Sequence, residues 1–114
     1  MTVPAAVRQA VAAALSRKAE DVVVLDLRPT TDFTDFFVLL SGTSQRQLVA
    51  IADAILETLR GHGRRPDHLE GYPRQEWILI DYGSFVVHVF TPPTRAFYDL
   101  ERLWGGALRV EVGR

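Results

Sequence analysis

Residues 76–90 read EWILIDYGSFVVHVF, two apolar runs on either side of Gly83-Ser84. β-Branched and aromatic residues fill both runs, as suits a pleated, half-buried surface. A two-residue connection containing glycine is the short-range signature of a β-hairpin. With the turn at Gly83-Ser84, Tyr82 falls opposite Phe85, Ile80 opposite Val87 and Ile78 opposite Val89. These six residues form one wholly apolar or aromatic face, which is predicted to lie against helices. The other face pairs Asp81 with Val86, Leu79 with His88 and Trp77 with Phe90. An indole, a phenyl ring, an imidazole and a carboxylate together are enriched where proteins meet proteins. The pattern leaves two readings open for that second face: an interface, or a surface covered by the last helix.

Working outward, Phe36-Phe37-Val38-Leu39-Leu40 is apolar at every position, the mark of a central strand covered on both sides. It runs through Ser41-Gly42-Thr43-Ser44 into a helix whose buried stripe is Leu48, Ile51, Ile55 and Leu59. Ser44 with Gln47 three residues on reads as a capping box, and Gly61 as the C-terminal cap. Upstream, Val3, Val7, Ala10/Val11 and Ala14/Leu15 recur at helical spacing behind Pro4, and Val22–Leu25 reads as a strand. A short strand is expected at Asp67–Glu70. Beyond Pro92-Pro93 one helix is expected over about Thr94–Trp104, with Phe97, Leu100 and Trp104 on one side, ended by Gly105-Gly106. The alternating tail Leu108–Val112 fits a short edge strand. The expected fold class is α/β (α+β): a mixed β-sheet of about five strands flanked by helices.

A length of 114 residues fits a single domain over 1–114, large enough for a proper core. Hydrophobic residues at 47% and charged ones at 24% are ordinary for a soluble globular protein. Cysteine is absent, which removes disulfides, iron–sulfur clusters, thiolate zinc sites and cysteine nucleophiles. Thirteen basic against fourteen acidic residues leave a net charge of −1, with no excess to grip a phosphate backbone non-specifically. No membrane partner is expected, since no apolar run approaches the ~20 residues of a span. Arg8 and Gln9 interrupt the alanine-rich start, unlike a secretory signal; a first core helix explains this segment better than a transit peptide.

Few residues suggest chemistry. The Gly42–Ser44 junction offers free N–H groups and a helix dipole to an anion. Nucleotidyltransferases place a Gly-Ser there but also need paired carboxylates for magnesium, and here Asp81 stands alone. Asp32 and Asp35 are read as turn-capping residues. His62, His68 and His88 lack any compact ligand spacing, so neither a metal nor another cofactor is expected. His88, in an apolar strand, is read as a hydrogen-bonded, covered residue.

Three stretches, DFTDFFVLLSGTSQRQ (Asp32–Gln47), EGYPRQEWILIDYGSFVVHVF (Glu70–Phe90) and YDLERLW (Tyr98–Trp104), closely resemble the Iojap family of ribosomal silencing factors. The resemblance implies a nucleotidyltransferase-like fold without the catalytic acids, and no enzymatic activity. It further implies binding to the large ribosomal subunit through its ribosomal protein number fourteen. Occupying that face blocks joining of the small subunit; family members also form homodimers off the ribosome. No sequence-specific nucleic-acid binding is implied, and the setting is the cytoplasm or an organelle. Carried over, the family's motifs fall on Trp77, Asp81-Tyr82-Gly83, Val87-His88-Val89 and Tyr98–Trp104. The expected anchor is therefore Trp77, Leu79, His88 and Phe90, with Asp81, Tyr82, Tyr98 and Glu101 as rim or supporting residues. The chain departs from the family at Phe36 (usually Tyr), near Gln75 (usually Gly) and at Ser84 (usually Asp). Loss of a carboxylate at Ser84 shifts the expected electrostatic steering to Asp81, Asp99 and Glu101. The rival reading is a degenerate nucleotidyltransferase that holds a nucleotide at Gly42 and Ser44; a third is a self-pairing domain.

Overall fold

Two strands buried along their whole length set the centre of the molecule. In the computed structural model, which describes residues 3–73, 76–104 and 108–110, these are β2 (Phe36–Ser41) and β5 (Phe85–Phe90). They run parallel, with Phe36 beside Phe85 and Leu39 beside His88. The other strands are β1 (Glu20–Asp26), β3 (His68–Glu70), β4 (Trp77–Asp81) and β6 (Leu108–Val110), and the order is β3-β4-β5-β2-β1-β6. All neighbours except the β2–β5 pair are antiparallel. The mixed sheet of about five strands is borne out with six, the expected edge strand in the tail pairing with β1 over Leu108–Val110. Gly105-Gly106 and residues 111–112 of the expected tail lie outside the described residues.

The hairpin register matches the sequence reading at every pair from Trp77–Phe90 to Asp81–Val86. Gly83 takes a positive φ of 85°, which a glycine adopts without strain and which suits the first turn position. Ile78, Ile80, Val87 and Val89 pack under α1 (Ala5–Ser16) and α2 (Gln45–Gly61). Alanines at positions 10 and 14 of α1 are fully buried, and their small side chains let the two helices approach closely.

Chain ends of the helices differ from expectation in instructive ways. Ser44 Oγ accepts from Gln47 N at 3.1 Å as a capping box requires. The Gln47 side chain, however, accepts from Thr43 N and donates to the carbonyls of Arg17 and Lys18, tying α2 to the end of α1. Gly61 is still helical, and the closing residue is Gly63 at φ 81°, with Arg64 N donating to Leu59 O at 2.8 Å. The expected last helix is two helices, α3 (Pro92–Tyr98) and α4 (Leu100–Leu103). Asp99 separates them in a left-handed conformation, φ 47° and ψ 56°. The break turns Phe97 away from the sheet, leaving it 81% exposed, while Leu100 and Trp104 stay packed on the second face.

Candidate interaction surface

The second face of the sheet carries its own apolar cluster of Leu25, Leu27, Phe37, Leu39, Val86 and Phe90, with Leu100 and Trp104 packed on it. At the β4 end Trp77 and Leu79 stay half-buried. The face is therefore divided, covered towards β1 and open at β4.

Trp77 is held on three sides. Its indole N–H donates to His88 Nδ1 at 3.1 Å, and its ring lies 5.4 Å from Phe90 and 4.7 Å from Tyr98. Because Nδ1 accepts, the neutral imidazole carries its proton on Nε2, which is buried with no hydrogen-bond partner among the described residues. Burial pushes the His88 pKa down to about 3, so the ring is neutral near pH 7. The Phe37 ring meets His88 edge-on at 4.5 Å, and Trp104 meets Phe37 at 5.7 Å. Phe33 and Phe97 continue this chain of rings to solvent, against Trp104 at 5.8 Å and Tyr98 at 5.0 Å. An aromatic track thus crosses the sheet, and its most accessible ring beside Trp77 is Tyr98, 48% exposed.

The eight residues singled out from sequence separate into four groups. Trp77, Leu79 and Tyr98 share the wall of an open cleft of about 660 Å³, together with Glu70, Glu76 and Thr94. His88 (4% exposed) and Phe90 (0%) lie beneath them and support the patch from inside, out of reach of any partner. Tyr82 does not belong to this face at all: it stacks on Phe85 at 5.0 Å in the helix-covered core. Its hydroxyl is buried without a partner among the described residues, and burial pushes its pKa up to about 12. The cause is strand alternation, which sends Asp81 and Tyr82 to opposite sides.

The acidic rim is also rearranged. Glu101 is gripped by Arg95 through both carboxylate oxygens at 3.0 and 3.1 Å, and by Arg109 at 3.3 Å. The Arg95 hydrogen bonds hold its carboxyl below the usual range, and its charge is neutralised inside the fold. Asp81 stays half-buried at the end of β4, accepting from Gly83 N at 2.7 Å to brace the hairpin turn. The residues missed are Glu70 and Glu76. Glu70 reaches the cleft because it pairs across strands with Leu79, a register that the weak Asp67–Glu70 signal gave no means to fix. Glu76 precedes Trp77 directly, and its carboxylate accepts from Thr91 and Thr94 at 3.3 Å.

Much of the Gly42–Ser44 junction is engaged within the fold. Gly42 N donates to Phe90 O at 3.0 Å, and Thr43 N and Ser44 Oγ are bound by Gln47. The adjoining hollow is lined by Thr43, Ser44 and Thr91 and also by Glu76, whose charge opposes a phosphate. Asp32 and Asp35 are exposed, and their loop docks through Thr34 Oγ1 donating to Gly83 O at 2.9 Å, a structural role.

Fold and surface together define a mixed α+β domain whose open feature is an aromatic patch on the sheet. A family model described as "Ribosomal silencing factor during starvation" matches residues 1–114, and the chain belongs to that family. It is 43% identical over 103 residues to "Ribosomal silencing factor RsfS" of Halalkalibacterium halodurans, covering 90% of this chain and 88% of that one. It is 33% identical over 95 residues to "Protein Iojap, chloroplastic" of Arabidopsis thaliana, covering 83% of this chain and 40% of that one. A crystal structure of a Chromobacterium violaceum protein superposes with a TM-score of 0.87 at 31% identity, over 100% of this chain and 94% of the other. The chain is thus related to proteins named as ribosomal silencing factors.

Proposed function

We propose that this protein represses translation by binding the large ribosomal subunit, through its ribosomal protein number fourteen, and excluding the small subunit by bulk. The observation that carries the reading is the open patch of Trp77, Leu79 and Tyr98, bordered by Glu70 and Glu76. Rings and an aliphatic side chain give the desolvated centre of an interface, and carboxylates at its margin suit a basic ribosomal protein. No turnover is required. Off the ribosome the same patch pairs two copies, in the cytoplasm or in an organelle.

Pelleting through sucrose with isolated large and small subunits tests this. The chain is expected to sediment with large subunits alone. Tyr98→Ala, at an exposed ring, should weaken that association by about 1–2 kcal/mol, and Trp77→Ala by about 2 kcal/mol. Trp77→Ala also removes packing on Phe90 and the donor to His88, so its fold is checked by thermal melting alongside. Unchanged co-sedimentation of a folded Trp77→Ala chain overturns the anchor. Micromolar binding of a nucleoside triphosphate with magnesium, lost in Ser44→Ala, would favour the nucleotide-binding rival instead.

A further inference from the structure

Seven residues carry a charge pattern that the proposed interface does not use. Residues 60–66 read RGHGRRP: three arginines and a histidine, with no acid among them, in a chain of net charge −1. Arg60, His62, Arg64 and Arg65 are all exposed. Among the described residues no carboxylate pairs with Arg60, Arg64 or Arg65, whereas Arg95 and Arg109 are both engaged by Glu101. A helix C-terminus attracts cations, which accounts for Arg60 in the last turn of α2. That attraction fades within a turn and leaves Arg64 and Arg65, beyond the helix, unexplained.

Backbone hydrogen bonds hold the loop in shape. Gly63 N donates to Arg60 O at 3.0 Å and Arg64 N to Leu59 O at 2.8 Å. The loop then passes into β3, where Asp67 N donates to Asp81 O and Glu70 lies opposite Leu79. Glu70 lies five positions after Arg65, at most about 17 Å of extended chain. One edge of the protein therefore presents an acid-margined apolar patch and, within that reach, a concentrated positive charge.

We infer that the Arg60–Arg65 loop is a second docking element, which binds the phosphate backbone of ribosomal RNA beside the protein partner of the patch. The inference rests on the reading in the preceding subsection. It adds a partner of opposite charge: the patch with Glu70 and Glu76 suits a basic protein, and the cationic loop suits the RNA in which such a protein is embedded. Arginine forks match phosphate oxygens without reading bases, so contact is independent of sequence.

Salt-dependent titration onto isolated large subunits tests it, because each neutralised phosphate releases condensed counterions. The slope of log affinity against log salt changes by ~0.7–0.9 per contact. The Arg60→Gln/Arg64→Gln/Arg65→Gln chain is expected to bind about 10- to 100-fold more weakly at low salt, with a slope shallower by about 2. Arg65→Gln alone should make the slope shallower by about 1. Trp77→Ala should weaken binding at every salt concentration and leave the slope as it was. All three arginines are exposed and only Arg60 serves the helix end, so the melting temperature of the variants should stay close to that of the parent chain. Unchanged slope and affinity in the triple variant overturn the inference and leave the patch standing. Lost affinity at unchanged slope also overturns it, since the loop would then be meeting protein carboxylates. If the parent chain binds no large subunit at all, the reading of the patch itself has failed, and the loop assignment falls with it.

Discussion

His88 accepts one hydrogen bond and, among the described residues, leaves its second nitrogen without a partner, an arrangement that ties the stability of the patch to pH. Burial holds its pKa at about 3, against about 6.5 in the unfolded chain. Below pH 6.5 the unfolded chain therefore binds a proton that the folded chain refuses. Its contribution is complete above pH 6.5 and is lost as pH falls towards 3, at up to about 1.4 kcal/mol per pH unit. Glu101 and Asp26, whose carboxyls Arg95 and Arg28 hold low, lose their contributions in a more acid range, below about pH 4. Urea unfolding at pH 6.5 and pH 5 should thus show a loss of about 2 kcal/mol in the parent chain and a much smaller one in His88→Leu. His88→Asn supplies an acceptor near the position of Nδ1. It should preserve the indole N–H resonance of Trp77, which His88→Leu should shift. The sequence made His88 legible as a covered, hydrogen-bonded residue, because one imidazole in an apolar strand has to be satisfied locally. It gave no sign that the bond runs to Trp77 itself, since a cross-strand diagonal depends on rotamers that periodicity does not encode.

Elements were legible where pattern and period agree. The hairpin register followed from the Gly83-Ser84 turn and strict alternation, and the burial of β2 from its unbroken apolar run. The last helix was misjudged because its apolar spacing continues through Asp99, while the backbone there turns left-handed. What holds the resulting pair of short helices is Arg95. It bonds Glu101, Ser41 Oγ at 2.9 Å and the Asp21 carbonyl at 2.7 Å, joining α3 and α4 to β1 and β2. Arg95→Ala removes all of these and leaves Glu101 facing only Arg109. A loss of about 2 kcal/mol is expected, read as a lower urea midpoint. The β2–α2 junction is constrained in another way. A Cβ on Gly42 would sit 2.9 Å from Leu48 Cδ1 and 3.3 Å from Ile51 Cδ1, both side chains fully buried. Gly42→Ala is therefore expected to cost about 1–3 kcal/mol through overpacking, with no change in the charge of the junction.

At the scale of the whole molecule the protein measures 34 × 34 × 26 Å. A body of that size on the subunit-joining face of a large subunit occupies space the small subunit must enter. Order of addition should then matter. Chain added before the subunits are mixed is expected to leave them separate in a density gradient, and chain added to assembled ribosomes to change the profile far less. The outline of this molecule, two helices over one side of a mixed sheet, was legible because the apolar stripes are long and periodic. The split of the other side into a covered and an open half was not, since it depends on how far α3 and α4 reach across the strands.

The sheet begins and ends in strands of three residues, β3 and β6. Unpaired backbone along a long flat border is what lets sheets add to one another and grow into fibrils. Here the β3 border is brief and carries two polar side chains in contact, His68 and Glu70, so strand addition finds little template. Contact between this domain and anything else is thereby left to side chains, not to shared backbone ladders.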